Sequence, residues 1–423
     1  MASSAQKLGQ IDAPWDVAVI GGGPAGMMAA ARAAERGLKV VLIEKNKGLG
    51  KKLLITGGGR CNVLNAEFDT RALLARYNDA GKFLASPFSQ WSSVQALEFF
   101  HGRGMPTKVE AEQRVFPLAN TARAVYDVLV DYLRETGVEV RENSKVKELL
   151  VQNGEVQGVA TSRGNLYAKS VILATGGTSH PETGSTGDGY PWLRALGHTV
   201  HEARAALVPI ATKEAWVRRA AGVALKDAKI TLYQNDVKQA QKRGKVLFTH
   251  VGLSGPGILN MSSEIGELLK YGEVIVEIDL LPDMGYEKVN TALQALLKEH
   301  HTKMLKNALS TLVSPALVPS ILALAEIAPE TPCNSVTKDA RMRLMKTLKH
   351  LRLTAARLLG MDKAIVTSGG VDLREIDLKT MRSLKCANLY LIGDILDIDR
   401  PSGGYSLQLC WTTGFVAGSA VSA

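Results

Sequence analysis

The sequence predicts an α/β fold resting on parallel strands, and three observations predict it. An apolar run at 16–20 leads into a glycine turn at 21–26, an alanine-rich stretch at 27–36 and a second apolar run at 39–44. A further apolar run at 170–173 ends in the small-residue turn Ala174, Thr175, Gly176, Gly177. A third, 388–392, ends in Gly393 and Asp394 and is followed by a glycine pair and an apolar stretch reaching Ala420. Strands that end in small-residue turns and alternate with helices are the pattern of a parallel α/β sheet.

The first motif is a strand, a glycine turn, a helix and a strand. Gly37 stands where a helix C-cap is expected, and the second strand ends in Glu44. In such a unit Gly21 permits the tight turn, Gly23 lets the backbone approach a pyrophosphate, and Gly26 lets helix and strand pack closely. The helix N-terminus offers free N–H groups to the phosphates. Glu44 is spaced to accept hydrogen bonds from a ribose, and its charge disfavours a 2′-phosphate, so the motif predicts FAD or NAD rather than NADP. Glycines serving only a turn would not account for a carboxylate ending the second strand.

The later elements resemble those of two-dinucleotide flavoproteins. There the Ala174-Thr175-Gly176 type of turn closes over the cofactor, and the Gly393-Asp394 type places a carboxylate near the ribityl chain. The strand around Val146 would pass the adenine. The stretch from Ser402 predicts a helix with a glycine-rich start at Gly403, Gly404 and Tyr405. Its free N–H groups, aimed at the flavin N1/O2 edge, would stabilise an anionic reduced flavin. A packed helix with no ligand is the alternative.

Composition narrows the class. The 423 residues, 46% of them hydrophobic, suffice for two or three domains. No run approaches the roughly 20 apolar residues of a membrane span, and the first residues lack a secretory apolar stretch, so the sequence predicts a cytoplasmic protein. Cys61, Cys333, Cys386 and Cys410 form no CxxC pair, and neither a metal site nor a disulfide framework is expected. The net charge of +10 raises the prospect of a polyanionic partner, with simple solubility as the other explanation.

The run 50–62, Gly-Lys-Lys-Leu-Leu-Ile-Thr-Gly-Gly-Gly-Arg-Cys-Asn, resembles the most distinctive signature of the BaiN/RdsA-type NAD(P)/FAD-dependent oxidoreductases, a family of bacterial flavoproteins. Blocks at 184–190, 196–198, 248–256, 366–371, 380–381 and 403–405 agree in order, so the resemblance spans nearly the whole chain. Asp394 stands where many members carry Glu, and Ser406 where Asn is common. The resemblance implies a Rossmann-like FAD-binding domain built from both chain ends, 1–200 and 358–423. It is interrupted by a β-barrel-like insert at 201–285 and a helical insert at 286–357. Residues 286–358 have a helical pattern, with Leu344, Leu348, Leu351 and Leu358 on one face. The expected cofactor contacts add Pro24, Ala25, Lys45, Lys52, Gly58, Arg60, Cys61, Asn62 and Leu407 to the residues above.

The resemblance further implies reduction of a carbon–carbon double bond conjugated to a carbonyl, with NAD(P)H as transient reductant. Similar members are linked to dihydrouridine in 23S ribosomal RNA or to steroid ene reduction. Hydride would reach the β-carbon and a general acid would protonate the α-carbon. Cys61 and His250 are the candidate acids; the rival readings are a small packing residue and a hydrogen-bonded structural histidine. Charge favours RNA. Residues 213–245 hold nine Lys or Arg against Glu214, Asp227 and Asp236, and 338–357 hold seven, Arg343, Lys346 and Lys349 among them, against Asp339. Solvated helix faces are the other explanation of such runs. Aromatic residues are 5% of the chain, so no broad stacking platform is visible, and a uridine flipped into the flavin pocket is the expected mode. Two further classes stay open: a small-molecule flavin reductase or oxidase, and a non-catalytic RNA-binding flavoprotein.

Overall fold

The computed structural model describes residues 14–360, 362–364 and 366–422. The chain divides into two compact units, one taking the chain up to Ala205 and again from Val366, the other Ala206–Ile365.

The first unit is organised by a sheet whose central strands are parallel, in the order Leu389–Leu391, Gly164–Leu173, Trp15–Ile20, Val40–Ile43, Glu139–Arg141. Val17, Ala18 and Val19 are wholly buried, as expected of a strand covered on both faces. The helix Pro24–Glu35 follows the first strand, with alanines over most of its buried surface. Those small side chains, with Gly414 and Gly418 on the helix Tyr405–Ala420, let the two helices meet backbone to backbone. A Cβ at Gly414 would stand 2.6 Å from the Ala25 carbonyl oxygen, and one at Gly418 2.6 Å from that of Ala29. Arg36 adds hydrogen bonds to the carbonyls of Gly418 and Val421 at 3.0 and 2.6 Å. The early and late parts of the sequence therefore share one core.

The second unit is a closed six-stranded barrel in the order Ile210–Thr212, Gly252–Ser254, Val237–Phe248, Ala224–Gln234, Val274–Asp279, Leu351–Leu358. Ile230, Leu232, Val246, Phe248, Val276 and Leu353 are buried, joined by Leu293, Leu344 and Leu348 from the helices Tyr286–Glu299 and Lys338–Lys349. Here the structure corrects the helical reading of 286–358. Leu344 and Leu348 lie on a helix, but the helix ends at Lys349, and Leu351–Leu358 is a barrel strand pairing antiparallel with Val274–Asp279. Its leucines fit a helical spacing by coincidence, whereas Leu351, Leu353 and Ala355 are buried in alternation. No helix among the described residues is long and apolar enough to cross a membrane.

Candidate functional site

The strand Trp15–Ile20 has Val40–Ile43 on one side and Gly164–Leu173 on the other, so successive connections leave it in opposite directions. Such a switch point opens a crevice at the carboxyl ends of the strands. A cleft of about 1060 Å³, counting its open mouth, lies there, entirely within the first unit.

The glycine turn builds one wall. Gly21 has φ +107°, and a Cβ there would stand 2.4 Å from the Ala174 carbonyl oxygen. A Cβ at Gly26 would stand 1.9 Å from the Gly21 carbonyl oxygen, so helix and turn touch at that point. Gly23 differs: a Cβ there meets nothing within 4 Å, although the residue lines the cleft. The Glu44 carboxylate fixes the turn, accepting the Gly22 N–H at 2.8 Å through Oε2 and the Asn46 N–H at 2.8 Å through Oε1.

These features fit a dinucleotide. The helix Pro24–Glu35 begins at Gly23, which lines the cleft, and no side chain among the described residues caps it, which leaves the first N–H groups after Pro24 for a ligand. Beside the turn, the Thr175 hydroxyl is buried with no hydrogen-bond partner among the described residues. Open space over Gly23, an uncapped helix start and an orphaned hydroxyl together describe a surface shaped for a phosphate-bearing ligand.

Beyond the turn the walls carry charge. Lys45 reaches Asp188 and Thr186, both at 2.6 Å. Burial works to raise the Asp188 pKa, but hydrogen bonds from Lys45 and Thr186 prevail and hold it below the usual carboxylate range. Lys52 donates to Ser179 at 2.6 Å and lies 3.5 Å from Asp394. Arg400, its side chain fully buried, binds Asp394, the Ile398 carbonyl and Ser406. Burial would raise the Asp394 pKa, yet Arg400 and Lys52 hold it low, so the cleft keeps a carboxylate at that end. Leu407 and Cys410, one turn apart on the helix Tyr405–Ala420, line the same end.

Gly21, Gly23, Pro24, Ala25, Glu44, Lys45, Lys52, Val146, Ala174, Thr175, Gly176, Gly393, Asp394 and Leu407 all line this cleft. The other expected contacts do not. Gly26 serves the helix–turn contact. Gly404, at φ +103°, is packed so that a Cβ would stand 2.3 Å from the Leu64 carbonyl carbon, and the Gly403 carbonyl accepts from Asn65 at 3.0 Å. Tyr405 is buried, its carbonyl bonded to the Tyr77 hydroxyl at 2.9 Å. The last helix therefore meets the cleft through its Leu407 and Cys410 side chains, not through the glycine-rich start. Gly58 is exposed, Arg60 stacks on Phe116 at 4.1 Å and pairs with Glu110, and Asn62 lies off the lining.

The candidate acids are also corrected. Cys61 is wholly buried at φ +61° and absent from the cleft wall, and burial pushes its thiol up to about 12. The thiol packs within the loop, beside Thr56, which does line the cleft. His250 lies in the second unit, exposed on the turn before Gly252–Ser254. His198 is buried between Glu375 at 3.0 Å and Ser383 at 2.8 Å, a structural arrangement. Of the RNA candidates, Arg343 donates to the Ala325 carbonyl at 2.9 Å, and Lys346 is exposed. Lys349 is 7% exposed, paired with Asp279 at 2.7 Å and bonded to the carbonyls of Leu281 and Met284, so it is a core residue and not a phosphate contact. Asp188 had a sequence signal in its glycine-flanked block, whereas buried Arg400 had none.

A Rossmann-type sheet with a dinucleotide cleft at its switch point, continued by charged groups where a redox ring would lie, defines an FAD-dependent oxidoreductase. The chain belongs to the HI0933-like family, whose Rossmann-domain model matches residues 15–420. It is 31% identical over 410 residues to the 3-dehydro-bile acid delta(4,6)-reductase of Clostridium scindens, covering 96% of this chain and 98% of that one. It is 32% identical over 407 residues to the ribosomal RNA dihydrouridine synthase of Escherichia coli, covering 95% and 96%. In fold it is similar to a flavocytochrome c3 fumarate reductase, with a TM-score of 0.54, 16% identity and coverage of 97% of this chain and 78% of that one.

Proposed function

We propose that this protein is an NAD(P)H-driven ene reductase that saturates the C5–C6 bond of uridine in 23S ribosomal RNA, giving dihydrouridine. When bound, FAD supplies hydride transfer to the β-carbon of the conjugated system. The chain's own residues do the rest: the first turn of Pro24–Glu35 binds phosphate, Glu44 keeps the glycine turn in shape, and Lys52 and Arg400 keep Asp394 ionised. In this reading the α-carbon takes its proton from solvent, because Cys61 is buried off the cleft wall.

The observation that carries the RNA substrate is the set of exposed cations on the second unit. Arg218, Arg219, Lys226, Lys245, Lys338 and Lys346 are exposed and, among the described residues, pair with no carboxylate. Lys226 and Lys245 follow the Leu225–Val246 strand pair, where the register of the hairpin shifts. Unneutralised surface cations favour a polyanion. A second reading, reduction of a small enone, draws on the likeness to the bile acid reductase. It also draws on the cations that are neutralised, such as Arg243 with Asp227 and Asp283, and Lys242 with Glu264. Nucleoside mass spectrometry of 23S RNA from cells with and without the protein separates them: loss of one dihydrouridine supports the first reading, and unchanged RNA refutes it.

A further inference from the structure

The outer face of the barrel carries a cluster that no stretch of sequence displays. Tyr286 opens the helix Tyr286–Glu299, and its hydroxyl is hydrogen-bonded to His350 Nε2. The two rings lie 5.8 Å apart and 30° from parallel. His350 Nδ1 lies 2.9 Å from Glu277, whose other oxygen accepts from Arg352 Nε at 2.9 Å. The Arg352 guanidinium lies 5.3 Å from the centre of the Tyr233 ring.

Strand register explains the gathering. Glu277 pairs with Arg352 on one side and with Thr231 on the other, placing all three on the outer face, while Ile230, Leu232, Val276 and Ile278 fill the barrel. Glu277 is buried, and hydrogen bonds from His350 and Arg352 outweigh that burial and keep it ionised. It fixes both side chains without occupying the surface. The surface itself is ring and guanidinium: Tyr286 is 49% exposed, and the Arg352 side chain 52%.

We infer that Tyr233, Tyr286, His350 and Arg352 form a ledge on which unpaired bases of an RNA strand stack. The inference rests on the ribosomal RNA reading above and names where that substrate is held. Planar rings and an arginine held in fixed orientation are what sequence-tolerant base stacking needs, because every base offers a π face. Exposed Lys346, one turn before His350, supplies a phosphate contact beside the ledge. The acids at the rim are Glu287 and Asp236, the latter 3.9 Å from Arg352 and 94% exposed, so both are free to turn into solvent. Paired RNA hides its base faces, so the ledge selects single strands.

The test uses the full FAD-bound protein and a fluorescent oligouridylate, with a duplex of equal length as comparison, across a salt series. Tyr286→Ala is expected to weaken oligouridylate binding about 5- to 150-fold, the loss of one stacked base, with the salt slope unchanged. Tyr286→Phe keeps the ring and most of the affinity. Lys346→Ala lowers the salt slope by about 0.7. Cross-linking of wild-type protein to 4-thiouridine RNA is expected to mark peptides holding Tyr286 or His350, which tests the ledge even if a variant fails to fold. Wild-type protein that binds no RNA overturns the RNA reading and the ledge together. RNA binding that Tyr286→Ala leaves intact, cross-links only elsewhere, or equal affinity for duplex overturns the ledge alone.

Discussion

Replacing Gly23 by valine separates a glycine kept for a ligand from glycines kept for the fold. The backbone at Gly23, φ −79° and ψ −179°, is open to any L-residue, and a Cβ there meets nothing within 4 Å. The apoprotein variant should therefore unfold within about 1 kcal/mol of wild type. The new side chain projects over the uncapped start of Pro24–Glu35. Displacing a pyrophosphate from two backbone N–H groups, at about 1.5–3 kcal/mol each, removes about 3–6 kcal/mol of binding, or roughly 10²- to 10⁴-fold in Kd. Gly26→Val is the control: its Cβ would sit 1.9 Å from the Gly21 carbonyl oxygen, and the clash should cost several kcal/mol of stability. Thermal unfolding of the apoproteins and FAD titration by flavin fluorescence read the two effects separately. A folded Gly23→Val protein with wild-type FAD affinity would refute the placement of the phosphates.

Three further outcomes follow from the same geometry. Cys61→Ala should leave reoxidation of the reduced flavin by substrate unchanged in rapid mixing, because the thiol is buried off the cleft wall; a rate lowered by about 10²- to 10⁴-fold would return Cys61 to the mechanism. Lys349→Met leaves Asp279, 2% exposed, with Lys229 at 3.5 Å as its remaining cation among the described residues and takes the donor from the Leu281 and Met284 carbonyls, so it should destabilise the protein by about 1–3 kcal/mol, while exposed Lys346→Met should shift stability by no more than about 0.5, both read by chemical denaturation. Asp394 and Asp188 are held below their ordinary range, so their contribution is full above the unfolded value of about 4 and is lost as pH falls through the lower folded values. Asp394→Asn should flatten that acid limb of the unfolding midpoint against pH, and an unchanged limb would contradict the assignment.

How much was legible in the sequence depended on how local the cause was. The glycine turn, its helix and Glu44 form one continuous stretch, and each residue's role follows from spacing and backbone sterics. The two later turns were legible because small residues end apolar runs there. Contacts that depend on distant partners were not. Cys61 and Lys349 were misplaced because nothing local says whether a cysteine or lysine faces solvent. The leucines at 344, 348, 351 and 358 continue a helical face past Lys349, and only the pairing of Leu351–Leu358 with Val274–Asp279 makes that stretch a strand. Arg400 and the tyrosines of the ledge acquire meaning only once the chain has folded.

In the proposed reaction, reducing equivalents pass through an FAD held in this cleft to uridine in RNA. The most direct test mixes the NAD(P)H-reduced protein, without oxygen, with unmodified 23S RNA or with a steroid enone, following flavin absorbance and analysing the products by mass spectrometry. Reoxidation by the RNA is expected to be rapid, with one uridine gaining two hydrogens, and reoxidation by the enone slow. Rapid reoxidation by the enone, with the RNA recovered unchanged, would contradict the proposed reaction.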